Sequence, residues 1–119
     1  MRFNIMTEKN QSFVFKSQTD LCDLGGGVKR RILAHGDALM QVEVHFEKGA
    51  VGAMHTHPHS QLTYVLKGSF EFTVNGETKI VNQGDTLYKT PGIPHGCRCL
   101  EEGILLDTFT PPREDFLAK

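Results

Sequence analysis

Leu39-Met40-Gln41-Val42-Glu43-Val44-His45-Phe46 decides the fold class. Met40, Val42, Val44 and Phe46 share one parity, and Gln41, Glu43 and His45 share the other. Successive side chains of a strand point to opposite faces, so this stretch reads as a half-buried β-strand. Phe70, Phe72 and Val74 repeat the pattern before Asn75-Gly76, a strong hairpin turn signal. Outward from these strands, glycine-centred turns recur at short intervals, among them Gly25-Gly26-Gly27, Gly36-Asp37, Lys67-Gly68, Gly84-Asp85 and Pro91-Gly92. No window keeps a helical apolar period over three turns. The pattern predicts an all-β protein of eight or more short strands, a sandwich or barrel. Residues 1–20 are polar and irregular and read as an N-terminal arm. The segment 111–119 reads as a C-terminal tail that leaves the last strand at Pro111-Pro112 and makes one helical turn.

The 119 residues suit a single domain spanning 1–119. Thirteen basic against fourteen acidic side chains give a net charge of −1, which argues against bulk attraction to nucleic acid or to anionic membrane. Lys29-Arg30-Arg31 runs straight into Ile32-Leu33 and belongs to a strand, not to a basic arm. The longest apolar runs, such as Ile104-Leu105-Leu106, are far too short to span a bilayer. The opening MRFNIMTEKNQSF lacks the apolar core of a signal peptide, so the expected compartment is the cytoplasm. Three cysteines, an odd number, agree with reduced thiols there.

The six histidines carry the chemistry. His55, His57 and His59 alternate with Thr56 and Pro58, and Gln61 continues their parity. In an extended segment His55 and His57 reach a common point. His95, after the turn Pro91-Gly92-Ile93-Pro94, is a natural third histidine from another strand. Three neutral imidazoles with one oxygen ligand suit a divalent transition metal. Gln61 reads either as that oxygen ligand or as a neutral hydrogen-bond partner of a ligand histidine. His59 reads as a supporting or surface residue, and His35 and His45 need no special role. Cys97 and Cys99 share parity with His95. Cys97 could approach a metal as a soft thiolate, but the plainer reading makes both small buried hydrophobes. Tyr64 and Tyr88 read as packed mid-strand residues with a wet hydroxyl.

These residues resemble the two cupin motifs. Gly49, five residues, His55-Thr56-His57, three residues, Gln61, six residues and Gly68 follow the first. Gly84, five residues, Thr90-Pro91-Gly92, two residues, His95, three residues and Cys99 follow the second. Gln61 stands for the usual glutamate, Thr90 for the motif proline and Cys99 for the asparagine. The resemblance implies a small double-stranded β-helix, the jelly-roll barrel of the cupins, with a metal on His55, His57, Gln61 and His95. Nickel, zinc, manganese and iron all suit such ligands. A neutral glutamine leaves the dication's charge uncompensated in the barrel, which favours anionic ligands and Lewis-acid chemistry over oxygen activation.

A narrower likeness extends from Leu24 to Leu117. Phe46-Glu47-Lys48-Gly49, His55 to Val65, Gly84-Asp85-Thr86-Leu87-Tyr88-Lys89 and the tail Glu101 to Leu117 are similar to the small pectin-degradation cupins of the KdgF type. That family implies ring opening of 4,5-unsaturated uronates to the linear 5-keto-4-deoxyuronate. It also implies that Asp107, Phe109 and Arg113 work beside the metal. Residue chemistry agrees: Asp107 and Phe109 share parity, a carboxylate can transfer the protons of ring opening, and a guanidinium fork suits a uronate carboxylate. By themselves, Asp107 reads equally as a satisfied strand carboxylate, Arg113 as a solvated residue and Phe109 as core. The expected partners are a small anionic sugar and a second copy of the chain. Phe13-Val14-Phe15 offers an apolar patch for exchange of N-terminal strands in a homodimer. A cupin oxygenase or isomerase of another substrate, and a sugar-binding cupin without turnover, are the competing readings.

Overall fold

The computed structural model describes residues 8–117. The expected N-terminal arm and C-terminal tail therefore lie partly outside the described residues, at 1–7 and 118–119. Eight strands follow one another: β1 (Leu21–Gly25), β2 (Val28–His35), β3 (Met40–Phe46), β4 (Val51–His55), β5 (Ser60–Val74), β6 (Glu77–Asn82), β7 (Thr86–Lys89) and β8 (His95–Thr110). One short helical turn, α1 (Glu114–Leu117), closes the described chain after the prolines, as the sequence predicts. Lys29-Arg30-Arg31 lies within β2. No helix among the described residues is long and apolar enough to cross a membrane.

All pairings are antiparallel, and the two long strands organise them. β5 and β8 pair from Ser60↔Thr110 to Val74↔His95. β3 and β7 flank one half of this ribbon, at β8 residues 103–109 and β5 residues 61–64. β4 and β6 flank the other half. Two sheets thus share the same two strands and close on each other as a jelly-roll barrel, the small double-stranded β-helix. The β5–β6 hairpin turns at Asn75-Gly76, both at positive φ, as a tight two-residue hairpin requires.

The alternation read from the sequence is what fills the barrel. Met40, Val42 and Phe46 are buried on one face of β3, and Phe70 and Phe72 on one face of β5. Phe46, Val65, Phe70, Phe72, Cys99 and Leu105 form the main apolar cluster, with Phe46 and Phe70 edge to face at 5.3 Å. Met40, Val42 and Phe109 form a second cluster, beneath Phe116 and Leu117. Each fully buried side chain of this size contributes about 1.5–3 kcal/mol.

One expectation changes. Tyr64 and Tyr88 are not packed: they point outward and are 45% and 60% exposed, because their parity opposes that of buried Thr63, Val65 and Lys89. Residues 8–20 contain a 3-10 turn at Lys16–Gln18 and no strand, the irregular arm that the sequence suggests, and Phe13 and Phe15 stack on each other at 6.4 Å while remaining exposed.

Where β5 bends from one sheet to the other, Gly68 takes φ +85° with its α-carbon against the opposite strand. A Cβ there would lie 2.5 Å from the Glu102 carbonyl oxygen and 2.6 Å from that of Glu101. Gly68→Ala should therefore cost about 2 kcal/mol, combining left-handed strain with the clash. Urea unfolding measures it, and an unchanged midpoint would show that the bend adapts.

Candidate metal centre and its cavity

The site forms where β4 ends and β8 begins. His55 closes β4 and is the cross-strand partner of His95, which opens β8. His57 follows in the β4–β5 connection. The Gly92 amide donates to the His57 carbonyl at 2.8 Å, so the Pro91-Gly92 turn is tied to the segment that carries the other histidines. The rings of His55 and His95 are 4.3 Å apart between centroids, those of His57 and His95 4.8 Å, and those of His55 and His57 5.6 Å. One ring nitrogen from each lies within 4.8 Å of the others. His57 and His95 are buried, whereas His55 is exposed at the rim.

The hydrogen bonds choose the tautomers. Each Nδ1 faces a backbone carbonyl: Ala53 at 2.7 Å from His55, His59 at 3.2 Å from His57, and Ile93 at 3.0 Å from His95. Nδ1–H donation leaves every Nε2 with a free lone pair, the second-sphere arrangement that orients imidazole for a metal. Burial lowers the pKa of His57, and it pushes His95 down to about 4, helped by the charges of Lys89 and the neighbouring imidazoles. Both rings are thus neutral at neutral pH.

Two features fit a cation. The Nε2 of His95 is buried with no hydrogen-bond partner among the described residues. The Nε2 of His57 lies 2.8 Å from Gln61 Oε1 while its Nδ1 faces the His59 carbonyl. A neutral imidazole has one N–H, so it cannot donate to both oxygens. A divalent ion held by His55, His57, His95 and the Gln61 oxygen removes both mismatches. Gln61 touches His57 through the oxygen that a metal would use, a contact compatible with either sequence reading of Gln61. His59 supports the site through its carbonyl, with its ring 5.3 Å from that of His57.

Beside the histidines lies a cavity of about 160 Å³, lined by His55, Gln61, Lys89, His95, Asp107, Phe109 and both Arg30 and Arg113, among others. It holds on the order of five water volumes, room for a sugar ring. Asp107 is buried and accepts a 2.6 Å hydrogen bond from Thr63, its cross-strand partner on β5. Phe109 sits edge-on to His57 at 5.7 Å. The Arg113 guanidinium lies over Phe116 at 4.2 Å and Phe109 at 5.2 Å. Its Nε and Nη2 bond Asp115 at 2.9 and 2.8 Å, which holds that carboxyl below its usual range. The structure thus places His55, Gln61, His95, Asp107, Phe109 and Arg113 on one cavity, with His57 against His95 and Gln61 beside it, and adds that the Arg113 fork is steadied by Asp115.

Cys97 lines the cavity, where burial raises its pKa to about 11, and its thiol is not part of the three-histidine group. Cys99 is core, 1% exposed, with its thiol 2.9 Å from the Glu101 carbonyl.

Sequence reasoning missed three residues. Arg30 lies over Phe116 at 3.9 Å, faces the cavity, and makes no hydrogen bond or ion pair with the described residues. Thr63 is fully buried, and Lys89 is only 2% exposed. Lys89 donates to Thr63 at 2.9 Å and lies 4.8 Å over the Phe72 ring. Burial lowers its pKa against the pull of the Asp107 carboxylate. Lys89 shares parity with Leu87, and a lysine on the inward parity of a strand was the available signal.

Comparison with known proteins agrees with this geometry. Residues 42–109 match the cupin domain family. The chain is 45% identical over 107 residues to pectin degradation protein KdgF of Dickeya dadantii strain 3937, covering 88% of this chain and 97% of that protein. Among solved structures it resembles an RmlC-like cupin from Shewanella frigidimarina, with TM-score 0.87 and 44% identity over 92% of this chain and 99% of that one. It also resembles KdgF from a Halomonas species, with TM-score 0.85 and 37% identity over 90% and 99%. Barrel, three-histidine cluster and near full-length likeness agree, and the chain belongs to the cupin family, among the small single-domain cupins of the KdgF type.

Proposed function

We propose that this cupin opens the ring of 4,5-unsaturated uronate monosaccharides, as a step in pectin or alginate breakdown. The observation that carries the reading is a buried carboxylate, Asp107, facing the same small cavity as His55 and His95 of the three-imidazole cluster and two guanidinium groups. A divalent ion on His55, His57, Gln61 and His95 would supply Lewis acidity toward the substrate's oxygens. Asp107 takes the proton of the anomeric hydroxyl. The bond from the anomeric carbon to the ring oxygen breaks, its electron pair leaving as an enolate on that oxygen. Asp107 then returns the proton to carbon 4, giving the 5-keto-4-deoxy product with no atom gained or lost. Phe109 forms the apolar wall against the sugar ring. Arg113, steadied by Asp115, and Arg30 receive the substrate carboxylate.

Among the described residues Arg30 has no hydrogen-bond or ion-pair partner to compete with that carboxylate, only the Phe116 ring. Arg30→Ala should raise the Michaelis constant about tenfold, the low end for a charge-assisted contact, with kcat little changed. An unaltered Michaelis constant would confine carboxylate binding to Arg113.

The deciding experiment mixes metal-loaded protein with the unsaturated monosaccharide released by a lyase and follows loss of the conjugated enol absorbance. Decay well above the spontaneous rate, yielding the linear keto product, is expected. A rate equal to the spontaneous one, with metal bound, would leave a binding protein and not an enzyme.

The working unit we propose is a cytoplasmic homodimer. Leu62, Tyr64, Leu66 and Tyr88 form an exposed apolar strip on the outer face of β5 and β7, and Phe13 and Phe15 add an exposed pair. The cysteines are free thiols, in keeping with a reducing compartment.

A further inference from the structure

Thr63 receives or gives three hydrogen bonds inside the barrel, and together they leave no freedom of polarity. Its hydroxyl lies 2.9 Å from Lys89 Nζ, 2.6 Å from Asp107 Oδ1 and 3.3 Å from Gln61 Nε2. All four residues are buried, from Thr63 at 0% exposure to Asp107 at 7%. The strand register accounts for the meeting: Thr63 is opposite Asp107, and Gln61 is opposite Lys89.

A hydroxyl has one proton to give and two lone pairs to share. The lysine can only donate to it. A carboxylate can only accept, so the hydroxyl proton goes to Asp107. The remaining lone pair requires a donor, and of the two ends of the Gln61 amide only the NH2 end supplies one. The amide oxygen is thereby turned the other way, toward His57 and the imidazole cluster, where it lies 2.8 Å from Nε2. With the opposite amide orientation, two oxygens would face each other at Thr63, and an NH2 group, which has no lone pair to offer a cation, would point toward the proposed metal.

We propose that Lys89 and Thr63 are positioning residues: they lock the Gln61 amide with its oxygen toward the metal centre and, through the same hydroxyl, hold the Asp107 carboxylate in place. The proposal rests on the reading of His55, His57, Gln61 and His95 as a metal site. It explains why a lysine is kept almost wholly buried beside an apolar cluster, where an ammonium is costly unless bonded. It also explains why glutamine can stand where cupins usually carry glutamate. A carboxylate presents oxygen at either end, whereas an amide must be told which way to face.

The test is nickel affinity of the metal-free protein, measured by competition with a chromogenic chelator. Thr63→Val keeps the shape and removes the hydroxyl, and Lys89→Met keeps the length and removes the donor. Each should weaken nickel binding about tenfold, the lower end for outer-sphere changes at metal sites. Thr63→Ser should stay within about twofold of wild type. In a Gln61→Glu background the penalty of Thr63→Val should vanish, because the carboxylate has no wrong orientation. That rescue separates the lock from a general loosening of the barrel, which would weaken binding in both backgrounds. If Thr63→Val fails to fold, Lys89→Met, alone and with Gln61→Glu, carries the same comparison. Wild-type protein that does not bind nickel, zinc or manganese would overturn the metal reading, and this proposal with it. Wild-type binding with equal affinity in Thr63→Val or Lys89→Met would overturn the lock alone.

Discussion

Asp107→Asn should lower turnover of the unsaturated uronate by about a hundredfold or more, the scale on which a positioned acid or base contributes. Asparagine has the same shape, and its amide oxygen can still accept the 2.6 Å bond from Thr63, so the layer Val42, Asp107 and Thr63 should stay packed. What it cannot do is take a proton from the anomeric hydroxyl and return it to carbon 4. The loss should fall on kcat, with the Michaelis constant nearly unchanged, because substrate binding is assigned to the arginines and Phe109. Metal content should match the wild type, since Asp107 is not among the proposed ligands. The measurement is the initial rate of enol loss at matched metal occupancy, corrected for spontaneous opening. Normal turnover by a fully loaded Asp107→Asn would make the carboxylate structural and transfer the proton steps to another group.

That expectation also marks how far the sequence could be read. Alternation at Met40 to Phe46 and at Phe70 to Val74 exposes its own meaning, because a period of two has one structural cause, and the burial of these strands follows it. The histidines were legible for a similar reason: fixed spacing on extended backbone projects them to one side, and Pro91-Gly92 supplies the turn for the third. Asp107, Phe109 and Arg113 were not legible in that way. Parity placed Asp107 and Phe109 on one face but could not say what the face covers, and the family likeness supplied their roles.

Lys89, Thr63 and Arg30 stayed hidden for physical reasons. Parity predicts the burial of an apolar residue, whereas a lysine at an inward position looks like an error in register until its partner on the next strand is known. Thr63 matters only through three neighbours that lie 2, 26 and 44 positions away in the chain, a meeting created by the β5–β7 and β5–β8 registers. Arg30 meets Phe116, which lies far from it in the chain. The tyrosine expectation failed because residue type outweighed parity. Tyr64 and Tyr88 have the parity of the outer face, and their exposure follows from it.

The cost of the site to the empty barrel gives the remaining large effect. In His95→Leu the stability order should depend on metal. Without metal, His95 carries a buried Nε2 with no partner among the described residues, a desolvation cost of about 1–3 kcal/mol. Its Nδ1 bond to the Ile93 carbonyl, worth about 1 kcal/mol, offsets part of that. Leucine removes both and fills the space with apolar atoms, so the metal-free variant should melt at or above the temperature of the metal-free wild type. With nickel at a hundredfold excess over its dissociation constant, the wild type should gain about 2.7 kcal/mol, because the ion binds the folded state alone. For a domain of this size that is a shift of roughly 10 °C. The variant, with a ligand lost, should bind more than a hundredfold more weakly, gain almost nothing, and lose activity with the metal. Calorimetry of both proteins with and without nickel tests the reversal. Equal stabilisation of the two by nickel would place the ion elsewhere than on His95. A metal-free variant several degrees less stable than wild type would mean that the histidine is held for packing and its bond to Ile93, not for a ligand.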